Sequence, residues 1–214
     1  MTDNIIPFRR RGRTRQRPAR RRPADRRVLR WFWTGTMDRL TDYLVELKAK
    51  ETTMTDLEIT APPGEPVIYM TRTFNAPRAL VWKALSEPEH VVRWWGPHGH
   101  KNRALEFDFR VGGKWRIEST LPDGLVITFF GEFLEIEKPV KVTQTFSFDG
   151  LPEGVHSIDT VTLEDHGDRT VYRAKSIAPD LAARDGMIAS GMEVGVVQGF
   201  ERLDAMLEEF KAGA

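Results

Sequence analysis

From Leu105 to Ile177 apolar side chains recur at every second position in six successive runs, and from about Leu181 the spacing changes to steps of four and three. Period two sorts side chains onto the two faces of a strand, whereas a period near 3.6 gathers them on one face of a helix. This single change of rhythm demands neighbouring antiparallel strands followed by one long helix that must find cover on them. Leu105, Phe107 and Phe109 alternate with Glu106, Asp108 and Arg110, and Trp115 and Ile117 alternate with Lys114, Arg116 and Glu118. Gly112-Gly113 and Pro122-Asp123-Gly124 are turn signals that separate such runs. Further runs cover 125–136, with Gly131 read as a bulge, 140–148, 158–163 and 170–177. The closing helix carries the stripe Met192, Val196, Gly199, Leu203, Met206 and Phe210.

Ahead of these runs, Val67–Phe74 reads as a strand rich in β-branched and aromatic residues. Pro77 then opens a helix carrying Leu80, Val81, Ala84 and Leu85. A second short helix holds Val91, Val92, Trp94 and Trp95 and stops at Gly96-Pro97, where glycine caps and proline forbids continuation. The expected fold is therefore α+β, a curved antiparallel sheet wrapped around a long C-terminal helix, with two short helices after the first strand.

The formal net charge of +1 conceals a division. Residues 1–55 hold 15 Lys and Arg against 6 Asp and Glu, a net of +9, and the remainder holds 17 against 25, a net of −8. Twelve arginines lie between Arg9 and Arg30 with Asp25 as the single acid, so residues 1–30 are expected to be an extended, disordered arm. The arm admits nonspecific phosphate binding, making nucleic acid a partner only if it belongs to the native protein. It also admits a targeting role, or sequence translated ahead of a start at Met54 or Met37, which is the reading favoured here. Residues 31–50 are expected to form an amphipathic helix with the seam Trp33, Met37, Leu40, Leu44 and Leu47, and the Thr-, Pro- and Gly-rich 51–65 a linker. The domain proper is expected over 66–212. Cysteine is absent, which excludes disulfides and thiol chemistry and suits a cytoplasmic protein, and no apolar run is long enough for a membrane span.

The segments RWWGPHGH, LEFDFRVGGKWRI and GMEVGVVQGFERLDAMLEEF, in that order, resemble the Hsp90-ATPase-activator-homologue branch of the START-like (SRPBCC) superfamily. The resemblance covers about Pro66 to Phe210 and implies the helix-grip fold. Separately, MDRLTDYLVELKAKE, within residues 37–51, resembles the last helix of ArsR-type repressors, where that helix serves dimerisation, and this adds a homodimer to the expected partners.

A concave sheet facing a helix leaves a cavity unless large side chains fill it. Phe107, Phe109, Trp115, Phe129 and Phe146 are the aromatic candidates for its inner face, with Trp94 and Trp95 near the mouth. Gly191, Gly195 and Gly199 recur every fourth residue and remove side chains from one helix face, either for close packing or to leave room for a guest. Met187 and Met192 beside that face suit an irregular ligand. If Leu163 pairs with Val171, then Asp159, Arg173 and Lys175 share the concave face, and Gln144 joins them by alternation with Val142 and Phe146.

Catalytic motifs are sparse. His98-Gly99-His100 lacks a third metal ligand, Gly112-Gly113-Lys114 lacks the loop length of a phosphate-binding turn, and Glu89 and His90 are an acid and a base with nothing to fix them on a substrate. The expected function is binding of a hydrophobic small molecule between sheet and helix, without catalysis, cofactor or metal. The resemblance leaves two other functions open: an enzyme acting on a cyclic or aromatic metabolite, and a protein cofactor of an Hsp90-type chaperone.

Overall fold

The computed structural model describes residues 57–213. The Arg-rich arm, the amphipathic helix with its repressor-like segment, and residues 51–56 of the expected linker lie outside them. Eight strands form one antiparallel sheet: β1 (Glu58–Thr60), β2 (Val67–Phe74), β3 (Lys101–Phe107), β4 (Lys114–Thr120), β5 (Val126–Glu137), β6 (Lys141–Phe148), β7 (Ser157–His166) and β8 (Arg169–Ile177). Their spatial order is β1-β2-β8-β7-β6-β5-β4-β3, so β3 to β8 run as a meander and β2 returns to pair with the last of them. Two helices, α1 (Arg78–Ser86) and α2 (Pro88–Trp94), follow β2, and α3 (Leu181–Ala189) and α4 (Met192–Ala212) close the chain. This is the helix-grip arrangement.

Four expectations are corrected. The linker drawn over 51–65 contains a strand: Glu58, Ile59 and Thr60 pair with Thr71, Met70 and Tyr69, while Leu57 packs on the core and the Pro62 carbonyl accepts a bond from Arg184. Prolines at 62, 63 and 66 disguise this edge strand because they cannot themselves donate to a ladder. Leu105 does not continue the alternation of β3, since the register shifts between Ala104 and Glu106 and leaves Leu105 exposed. The long C-terminal helix is present but starts at Met192, not near Leu181: a separate helix covers Leu181–Ala189, and the break lies where Gly191 adopts φ 79°, a conformation that costs a side-chain-bearing residue about 1–2 kcal/mol. Gly191 is thus an N-terminal cap, and it belongs to no small-residue face with Gly195 and Gly199.

Gly131, fourth, is not a bulge. The strand pairing passes it in register opposite Trp115, and the register shift of β5 lies further on, between Phe133 and Glu135. Gly131 is small for a different reason. A Cβ there would stand 1.9 Å from the Thr145 carbonyl oxygen and 2.8 Å from Trp115 Nε1. Only a bare Cα lets β5 pass between the neighbouring strand and the buried indole.

Two hydrophobic clusters flank the space between sheet and helices. The first joins Phe74, Val81, Trp82, Leu163 and Tyr172 to Phe200, Leu203, Met206 and Leu207 of α4. Phe74, Tyr172 and Phe200 meet edge to face at centroid separations of 5.2 to 5.9 Å. Arg72 of β2 pairs with Asp204 of α4 beside this triangle, its guanidinium carbon 5.0 Å from the Phe74 ring centre and 5.3 Å from that of Phe200. The second cluster gathers Val91, Trp115, Ile117, Leu121, Ile127, Phe129 and Phe133. Gly131→Ala is expected to lower denaturant-derived stability by about 1–3 kcal/mol through overpacking against immovable backbone, and an unchanged midpoint would show that β5 and β6 separate freely there.

Candidate functional site

Between the two clusters lies a cavity of about 340 Å³. Its floor is the concave face of the sheet, and the N-terminal half of α4, with α3, forms its roof. Gly195 and Met192 from α4 and Met187 from α3 line that roof. Trp95 stands at the centre of an aromatic wall, 5.6 Å from Trp115, 5.9 Å from Phe129 and 6.3 Å from Phe146, ring centre to ring centre. Phe107 stacks on Phe109 at 6.0 Å, and both meet Phe133 edge to face. Trp94 turns its Nε1 away, donating to the Ala84 carbonyl at 2.9 Å, so its ring presents carbon to the cavity. The Trp115 indole nitrogen, fully buried, finds no acceptor among the described residues.

One polar row crosses this apolar floor. Gln144 of β6 pairs with Asp159 of β7, which pairs with Ser176 of β8, so three polar side chains stand abreast on the concave face. Asp159 Oδ1 accepts from Ser176 Oγ at 2.6 Å and from Ser157 Oγ at 2.9 Å. Burial raises its pKa above the usual carboxylate range, opposed by those two hydrogen bonds. Burial also raises that of the Tyr172 phenol, with the nearby Asp159 carboxyl pushing the same way.

The register differs by one from the expected pairing, and this relocates one candidate. Leu163 pairs with Tyr172, not Val171, so Arg173 faces solvent, where Nε donates to Glu164 Oε1 at 2.6 Å. Arg173 is excluded from the cavity. Lys175 borders it, but its ammonium lies beyond the sheet, 6.0 Å from the Tyr69 ring centre. Asp159 alone of the three charged candidates faces inward, because an odd offset between β7 and β8 keeps Asp159 opposite Ser176. The same slip hid Ser176, and Ser157 was missed because the strand was started one residue late. Glu89 and His90 do not line the cavity: His90 packs on Phe210 at 4.8 Å and its Nε2 lies 3.1 Å from Glu87. Glu87, Glu89 and His90 come within ligand distance of one another at the N-terminal end of α2.

Residues 75–208 match the family model described as Activator of Hsp90 ATPase homolog 1-like protein. The chain belongs to this family. Solved structures share its architecture. A protein from Arthrobacter aurescens is 27% identical with a TM-score of 0.66, covering 71% of this chain and 91% of its own. Protein CV1439 from Chromobacterium violaceum is 27% identical with a TM-score of 0.58, over 67% and 97%. Protein Ms6760 from Mycobacterium smegmatis, at 20% identity and a TM-score of 0.64 over 70% and 95%, shows the fold alone. No curated protein matches the chain. The family's fold is compatible with ligand binding and with a chaperone-cofactor role.

In this family member the mouth of the cavity is pinned to α4. Arg202 Nη1 donates to the carbonyls of Trp95, Gly96 and Pro97 at 3.1 to 3.2 Å, and Gln198 Oε1 accepts from the His98 amide at 2.9 Å. Gly199 allows the approach, since a Cβ there would stand 3.2 Å from the Trp94 carbonyl oxygen. His98 and His100 part company: His98 Nε2 reaches Glu201 at 2.9 Å, whereas His100 Nδ1 lies 3.3 Å from Ser119 Oγ. Ser119 in turn donates to Asn102, whose amide donates to the Val92 and Trp95 carbonyls and ties β3 to the end of α2.

Burial, and after it the Arg202 guanidinium, lowers the His100 pKa from 6.5 to about 4. The folded state therefore binds this proton less readily than the unfolded chain, and stability is lost as pH falls from about 6.5 towards about 4. Asp159 and Asp204, both raised by burial, act in the opposite sense over the acid range, and they are common to wild type and a His100→Gln variant. The variant should therefore lose less stability than wild type across that window, measured by denaturant unfolding at each pH. Parallel curves would place the His100 ring in water.

Proposed function

We propose that this domain binds a hydrophobic small molecule in the cavity between sheet and α4, and that binding rather than catalysis is its task. The observation that carries this reading is the unfilled space of about 340 Å³ in a domain whose flanking clusters are densely packed. Open volume of this size forfeits the dispersion and burial energy that side chains would otherwise supply, so a fold that keeps it open gains from a guest. The wall supports an apolar guest: Trp95, Phe129 and Phe146 offer tilted ring faces, and Met187 and Met192 can adapt their flexible thioethers to an uneven shape. The absence of cysteine supports a reducing, cytoplasmic setting. No helix among the described residues is long and apolar enough to cross a membrane.

A second reading has one observation behind it. A carboxyl held in an apolar cavity with a raised pKa is the arrangement of a general acid, so Asp159 would be the catalytic group of an enzyme acting on a cyclic or aromatic metabolite. Incubation of the protein with a bound aromatic compound distinguishes the two readings, since recovery of the compound with unchanged mass supports binding and conversion supports catalysis.

A neutral hydrophobic fluorophore such as N-phenylnaphthylamine should bind saturably at one site per chain. Ala174→Phe, which fills the floor beside Val161 and Tyr172, should weaken that binding about tenfold or more while the domain still melts cooperatively. Unsaturable uptake by the wild-type domain, or undiminished binding by a folded Ala174→Phe variant, would contradict the assignment.

A further inference from the structure

We propose that the guest of this cavity is a hydrophobic amine, held by an ion pair between its ammonium group and the Asp159 carboxylate. This rests on the reading of the cavity as a binding site and specifies the chemistry it selects.

Both hydroxyl donors that reach the carboxyl, Ser157 and Ser176, converge on Oδ1. Oδ2 has no hydrogen-bond or ion-pair partner among the described residues, although Asp159 lines the cavity. A carboxyl in such surroundings is normally matched by a cation, because taking its charge out of water unpaired costs several kcal/mol. No cation among the described residues fills that role. Arg173 and Lys175, the basic residues closest in sequence on β8, project from the convex face, with Arg173 engaged by Glu164 and Lys175 beside Tyr69. The neighbours of Asp159 in its cross-strand row are the neutral Gln144 and Ser176. Of the other titratable residues in the lining, Tyr172 is buried and His156 is exposed at the edge. The missing charge is therefore left to the guest.

The remainder of the wall suits the same chemistry. Aromatic faces attract cations through their quadrupoles, and Trp95, Phe129 and Phe146 supply several in one enclosure. An anionic guest would meet the Asp159 carboxylate with no compensating cation. A purely hydrocarbon guest would leave Oδ2 unpaired, and a neutral hydroxyl would offer it a hydrogen bond without the opposite charge. An apolar amine satisfies the carboxyl and the ring faces together, with its hydrocarbon part filling the rest of the volume.

Titration of the wild-type chain with anthracenylmethylamine and with anthracenylmethanol, followed by tryptophan quenching, tests this directly, since the two share one ring system and differ in charge. The amine should bind about tenfold tighter or more than the alcohol. Asp159→Asn keeps the shape and the acceptor for both serines, and it should abolish the preference for the amine over the alcohol. Should Asp159→Asn fail to fold, the ¹³C shift of the wild-type Asp159 carboxyl provides the reading: it should move on addition of the amine and not of the alcohol. Equal binding of the two compounds, a preference that survives in Asp159→Asn, or a stationary carboxyl shift would overturn the amine proposal while leaving the cavity a binding site. Binding of neither compound would overturn both.

Discussion

The site depends on how α4 is held: it is locked at one end and only spans at the other. Phe200, Leu203, Met206 and Leu207 sink into the cluster built on Phe74, Val81, Trp82 and Tyr172, and the Arg72–Asp204 pair ties the same half of the helix to β2. The other half, from Met192 to Gly199, is held more lightly: Val196 packs on the edge of that cluster, and Gln198 and Gly199 meet the segment from Trp94 to His98. It crosses the concave sheet at a distance set by the anchored end, and the cavity is the space beneath it. A helix is stiff over its 21 residues, so fixing one half fixes the height of the other. The break at Gly191 then lets α3 turn down as a separate wall.

The same anchoring reaches the mouth. Arg202 and Gln198 project from the turns of α4 between its two halves and hold the chain from Trp95 to His98 by its backbone. Trp95, which forms the centre of the aromatic wall, is therefore positioned by the helix that roofs the cavity. His100, desolvated behind this segment, and Asp159, desolvated on the floor, both resist taking their ordinary charge, one by a lowered and one by a raised pKa. The interior thus discourages charge except where a partner completes it.

Much of this was legible in the sequence because binary patterning is a local property. The alternation through Trp115 and Ile117, the turn at Pro122-Asp123-Gly124 and the stripe Leu203, Met206, Phe210 each follow from a few consecutive residues. Trp94, Trp95, Phe107, Phe109, Trp115, Phe129, Gln144, Phe146 and Asp159 all come to the cavity by that logic. What could not be read was long-range. The offset between β7 and β8 depends on the turn at Gly167 and on which residues the core accepts, and a slip of one sent Arg173 outward and brought Ser176 in. Gly131 looked like a bulge because its function, clearance for Trp115 and the Thr145 carbonyl, involves residues 14 to 16 positions away. The strand Glu58–Thr60 was hidden by the prolines after it, and Gly191 shared a spacing with Gly195 and Gly199 without sharing their helix.

The chain keeps an apolar space open between the sheet and the N-terminal half of α4. Diffraction from a crystal of the unliganded protein pressurised with xenon tests this most directly, because xenon enters apolar cavities and scatters strongly. The account predicts a xenon site enclosed by Trp95, Phe146, Ala174 and Gly195, with those side chains unmoved. Absence of xenon there, with α4 or the aromatic wall collapsed onto the sheet, would contradict it.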